Sequence, residues 1–126
     1  MLLAELKSLG TTDGTVPDYD LRAWRPEQPM RFRVYVEAFI GPRGEPGEER
    51  FGFDVCSPLW LADHRSPRGF EFMRMIVMDR WSYPILERAI SDLCLRTTGP
   101  DWDAIARRLA MLSDWEFEGY TEFPVS

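Results

Sequence analysis

The chain has 126 residues, 44% hydrophobic, 13% aromatic and 29% charged, which fits one folded domain over residues 1–126 and excludes intrinsic disorder for its body. With 15 basic and 21 acidic residues the formal charge is −6, so holding nucleic acid by its phosphates would work against the net field, whereas a basic protein is easily accommodated. No apolar run approaches the roughly 18 residues of a membrane span, and Glu5 interrupts the N-terminus before a signal-peptide core forms, so a soluble, cytoplasmic protein is expected.

Residues 2–9 are expected to form the first strand. Residues 10–29 read as a loop, because Gly10, Gly14, Pro17, Pro26 and Pro29 mix with Asp13, Asp18 and Asp20. Over residues 32–40 the period is two: Phe32, Val34, Val36, Ala38 and Ile40 share one face, and Arg33, Tyr35, Glu37 and Phe39 share the other. Residues 41–47 form a Gly- and Pro-rich turn, and Phe51, Phe53 and Val55 resume the alternation, which predicts an antiparallel hairpin. Pro58 is expected to end its second strand, residues 62–69 to form a polar loop, and residues 70–79 to return as a strand.

After Trp81 the period becomes helical. Pro84 suits a first turn, and Leu86, Ala89, Ile90, Leu93 and Cys94 recur on one stripe until Gly99-Pro100 stops the helix. Asp101 is a natural N-cap for a second helix carrying Trp102, Ile105, Leu109 and Leu112 on one stripe, with Arg107 and Arg108 near its C-terminal end. Strands first and helices last predict an α+β fold: an antiparallel sheet of about four strands with two C-terminal helices packed on one face.

Residues able to do chemistry are few. Cys56 and Cys94 lack CxxC spacing and read as buried free thiols. His64, the only histidine, sits in an Asp63-His64-Arg65 stretch that reads as a solvated loop with no positioned base. The 41–47 turn has neither the P-loop nor the dinucleotide-binding glycine spacing. Asp101 with Asp103, or Glu116 with Glu118, have the chemistry to bind a hard cation or share acid and base roles; the plainer reading is helix-dipole complementation for the first pair and a solvated face for the second. No catalytic residue, metal ligand or cofactor is therefore assigned. Asp114, Glu116, Glu118 and Glu122 interleave with Trp115, Phe117, Tyr120 and Phe123 and no base follows Arg108, which suits a protein interface with aromatic anchors and a charged rim, or a tail whose aromatics pack onto the core.

Several of these runs resemble a known family. Residues 32–40 closing on Ile40-Gly41-Pro42, then Gly47, Phe51-Gly52-Phe53-Asp54-Val55-Cys56-Ser57-Pro58 and Trp60-Leu61, resemble the immunity protein 8 family of bacterial polymorphic-toxin systems. Gly99, Asp101-Trp102, Ala106 and Leu109, followed by Trp115-Glu116-Phe117-Glu118 and Tyr120, are similar to that family's closing helix and terminal segment. The resemblance covers residues 3–120, and the chain departs from the pattern after Tyr120. It implies a small cytoplasmic protein that binds a cognate toxin domain without catalysis or cofactor, and it does not identify the toxin. On this reading the toxin-binding candidates are Asp114, Glu116, Glu118 and Tyr120, then Glu45, Glu48 and Glu49 of the hairpin turn. A small metal-dependent hydrolase using the paired carboxylates, and an adaptor or chaperone for a secreted effector, are the alternatives.

Overall fold

The computed structural model describes residues 1–64 and 75–117. Strand β1 (Leu2–Gly10) is followed by a long connection with a 3-10 turn at Pro17–Tyr19, then by β2 (Arg33–Pro42) and β3 (Glu49–Cys56). Helix α1 (Pro58–His64) leads toward β4 (Met75–Val77), and α2 (Tyr83–Arg96), β5 (Thr98–Gly99), α3 (Trp102–Ala110) and β6 (Asp114–Trp115) complete the order. The fold is α+β, as expected.

The sheet runs β4-β3-β2-β1-β5, with β6 also paired to β3. β2 and β3 are antiparallel in unbroken register from Arg33↔Cys56 to Ile40↔Glu49, which places Val34, Val36 and Ala38 opposite Val55, Phe53 and Phe51. All six are buried, as the period of two requires of an inward face. Leu86, Ile90 and Cys94 of α2 and Ile105, Ala106 and Leu109 of α3 join the same hydrophobic cluster.

Four features differ from the sequence expectation. Among the described residues the sheet has six strands and not about four, and two of them, β5 and β6, are two residues long, too short for any local pattern. β4 is parallel to β3, not antiparallel; a parallel pair needs a crossover connection of about a dozen residues or more, and positions 57–74 are enough for one. Pro58 does end the strand, but it also opens α1, where the Ser57 hydroxyl accepts from the Trp60 N–H at 3.3 Å, so Ala62 to His64 are helical and not a polar loop. The strand expected over 70–79 spans only Met75–Val77, and its part before Met75, with residues 65–69, lies outside the described residues.

Both expected helix starts are in place. Ser82 accepts from Ile85 N ahead of Pro84, and the Asp101 carboxylate accepts from Ala104 N at 2.8 Å. α3 stops at Ala110, which leaves Leu112 beyond the helix and half exposed, and Ala89 faces solvent on α2.

The 10–29 connection is more than a loop over the surface. Where β1 ends, side chains continue its pairing with β2: the Thr11 hydroxyl donates to the Tyr35 carbonyl at 2.6 Å and the Tyr35 N–H donates to Asp13 Oδ2 at 3.0 Å. Asp13 Oδ1 also accepts from the Thr15 N–H and hydroxyl. The pinned segment lays Val16 and Leu21 into the core and sets Trp24 against Phe32 and Trp81 in edge-to-face contacts at 6.4 and 4.9 Å.

At the closed end of the hairpin, a Cβ on Gly41 would stand 2.0 Å from the Gly47 carbonyl oxygen. Backbone cannot yield as a side-chain tip does. Gly41→Ala is therefore expected to lose about 1–3 kcal/mol, measured as a lower urea midpoint at unchanged slope. Among the described residues no helix is long and apolar enough to cross a membrane.

Candidate functional site

The two sets of candidate residues meet at one edge of the sheet. β6 pairs antiparallel with β3, setting Asp114 opposite Gly52 and Trp115 opposite Phe51, and so carries the C-terminal segment toward the hairpin turn. Trp115 turns inward and stacks on Phe51 with ring centroids 6.2 Å apart, while its indole N–H donates to Glu49 Oε2 at 2.9 Å. The Glu116 carboxylate accepts from the Arg50 N–H at 2.7 Å, and its own N–H donates to the Arg50 carbonyl. Glu45 and Glu48 are exposed beside them, with the Glu45 carbonyl held by Lys7 Nζ at 2.9 Å. Glu118 and Tyr120 lie outside the described residues.

Of the two sequence readings of this segment, the structure bears on the packing one. Trp115 packs the tail onto the core, whereas Phe117 stands edge-on to it at 5.9 Å and is 41% exposed. Glu49 and Glu116 each accept a hydrogen bond from the fold, so they help shape the edge as well as charge it.

Away from the core, the second face of β2 and β3 carries charge. Glu37 is buried and paired with Arg50 at 3.2 Å, and Arg33 pairs with Asp54. The Tyr35 ring lies across Gly52, where a Cβ would meet its hydroxyl at 1.9 Å. Burial raises the Tyr35 phenol above its ordinary range, as do the charges of Asp114, Glu37 and Asp54, against a smaller opposing effect of Arg50.

At the other end of the hairpin, an open cleft of about 810 Å³ lies between the 15–33 segment and α1. His64 is one of its walls, and its ring stacks on Trp60 at 4.2 Å with Nδ1 2.8 Å from the Trp60 carbonyl oxygen. It is the last residue of a helix, not part of a solvated loop. Consecutive residues Asp18 and Tyr19 hold positive φ, 56° and 54°, a conformation that non-glycine side chains rarely adopt. Sequence reasoning missed this cleft because its walls come from two distant segments; the signal available was the pair of tryptophans, Trp24 in the 10–29 connection and Trp60 just after the second hairpin strand.

Asp13 was legible only as a turn former, yet it ties the connection to β2. Burial works to raise its carboxyl, but hydrogen bonds from Thr15 and Tyr35 and the charge of Arg33 together hold it below the ordinary value. A depressed carboxyl stabilises the fold above its unfolded value, near pH 3.9, and loses that contribution as pH falls through the folded value. The stability difference between the protein and Asp13→Asn, followed by urea unfolding, should accordingly be largest near neutral pH and shrink below about pH 4.

The paired carboxylates have other work. Asp101 caps α3, and Asp103 pairs with Arg107 one turn on at 2.9 Å. Among the described residues no group of three His, Cys, Asp or Glu side chains is placed to hold a metal. Cys56 and Cys94 are buried free thiols. Burial, then the charge of Glu5, pushes Cys94 up to about 11, and burial, then Asp54, raises Cys56, which keeps both protonated and poor nucleophiles.

The family model described as Immunity protein 8 matches residues 4–120 of this chain. No curated protein and no solved structure matches it.

Proposed function

Because the chain belongs to the immunity protein 8 family, we propose that it binds and neutralises a cognate toxin domain of a bacterial polymorphic-toxin system, acting in the cytoplasm and without catalysis. The family match over residues 4–120 carries this reading. The acidic edge is compatible with it, since β6 brings Asp114 and Glu116 to the strand that begins at Glu49, next to the exposed Glu45 and Glu48 of the hairpin turn. Glu118 and Tyr120, which follow in the sequence, are proposed as further toxin-contacting residues. Such a field steers a basic partner and speeds its encounter.

The test is growth rescue. Cells expressing only the toxic domain encoded beside this protein should survive when the protein is co-expressed. Restricting the target to the toxic domain excludes an adaptor, which needs the full-length effector. Continued killing despite soluble expression of both would overturn the reading.

A further inference from the structure

α1 is a marginal helix. It spans seven residues and buries none of them, whereas an isolated helix needs about 12–15 residues to persist in water and most helices in proteins are held by a buried face. Its start is anchored: the buried Ser57 hydroxyl accepts from the Trp60 N–H at 3.3 Å and from the Phe32 N–H at 3.2 Å, and the Leu61 N–H donates to the Ser57 carbonyl at 3.1 Å. Among the described residues, its far end is held by the Arg31–Asp63 pair and by the side chain of His64.

His64 closes that end on the helix itself. Its ring lies 4.2 Å from the Trp60 ring at an interplanar angle of 13°, and its Nδ1 stands 2.8 Å from the Trp60 carbonyl oxygen, four residues back. A carbonyl oxygen only accepts, so Nδ1 must carry a hydrogen in this contact. Neutral imidazole has one hydrogen for its two nitrogens, and imidazolium has one on each. Protonation therefore guarantees the donor, makes the bond charge-assisted, lays a cation on an indole face and sets positive charge among the last carbonyls of a helix. All four effects favour the closed turn.

We propose that protonation of His64 closes the last turn of α1, which makes this helix and the Trp60 wall of the cleft a pH-responsive element. The turn is closed on the acid side and opens as pH rises through the titration of the ring. Histidine is the one side chain that ordinarily exchanges its proton between about pH 5 and 8, and the chain has one. Burial raises both thiols, Cys94 to about 11. The other charged groups lining the cleft are Asp18, Asp20, Arg25 and Glu27, with Arg31 paired to Asp63 and Arg33 to Asp54. In sequence Arg65 follows His64, and Arg68, Glu71 and Arg74 precede β4. Carboxylates and guanidiniums ordinarily keep their charge across that range, so the switching charge is that of His64. The element does not depend on what the chain binds.

The test uses the full chain, labelled with ¹³C and ¹⁵N and followed by NMR from about pH 8 to about pH 5.5. The Cα shifts of residues 61–64 should move toward helical values as pH falls, on the same curve as the His64 ring, while those of α3 stay in place. The ratio of closed to open last turn should rise about three- to tenfold. His64→Gln, at an exposed position, should abolish the movement and leave residues 61–64 at their high-pH shifts. Shifts of 61–64 that stay constant while the ring titrates, or that move equally in His64→Gln, would overturn the proposal. A neutral ring that already carries its hydrogen on Nδ1, with residues 61–64 fully helical, would do the same.

Discussion

Leu109→Ala is expected to destabilise the protein by about 2–5 kcal/mol, the range for truncating a fully buried leucine into a cavity. Leu109 is 1% exposed and belongs to the inward stripe of α3 with Ile105 and Ala106. α3 is short, and its packing links the two marginal strands: the Arg108 guanidinium donates to the Thr98 carbonyl of β5 at 2.6 Å, and the Ser113 hydroxyl just before β6 donates to the Leu109 carbonyl at 2.7 Å. A cavity under Leu109 therefore loosens the C-terminal edge as well as the core. Thermal unfolding should show a fall of about 8–19 °C for a chain of this size. A loss within surface-mutation scatter, about 0.5 kcal/mol, would mean that this stripe does not carry the core.

Glu45→Lys/Glu48→Lys should slow association with the toxin domain by about tenfold at low salt and flatten the dependence of that rate on ionic strength. The hairpin pair is a cleaner probe than the C-terminal glutamates, because Glu116 accepts from the Arg50 N–H and its reversal would disturb the β3–β6 edge itself. Glu45 and Glu48 are exposed, and Lys7 holds only the carbonyl of Glu45. The unfolding free energy should accordingly stay within about 0.5 kcal/mol of the unsubstituted protein's. An unchanged rate and salt slope in stopped-flow mixing would remove the acidic edge from the encounter surface.

Legibility in the sequence followed the length and burial of each element. β2 and β3 were readable because the face holding Val34, Val36, Phe51 and Phe53 is buried against helices, which forces strict alternation. α2 and α3 were readable from Pro84 and Asp101 at their starts and from stripes that recur for two turns or more; the Ser82 cap of α2 was not read. α1 is seven residues long and buries none of them, so no periodicity marks it. The parallel pairing of β4 to β3 is likewise unwritten locally, since three residues of strand carry no sign of which neighbour they join.

The candidate site divides in the same way. A run of acids without bases is visible in any sequence, and the 114–118 stretch stood out for that reason. That β6 would bring it to Glu49 and Arg50 depends on a pairing between residues far apart in the chain, which only folding creates. The role of Asp13 was hidden for a related reason: an aspartate among glycines and prolines looks like a turn former, and its bond to Tyr35 N exists only once β2 lies beside it.

The central claim is inhibition by stoichiometric binding, and a titration of toxin activity against this protein tests it directly. Purified toxin domain at a concentration well above the dissociation constant is mixed with increasing amounts of the protein, and residual activity is read after a short and after a long incubation. Activity should fall linearly to zero at one equivalent, with the same endpoint at both times. Loss of activity at a small fraction of an equivalent, deepening with incubation, would show turnover and contradict the account.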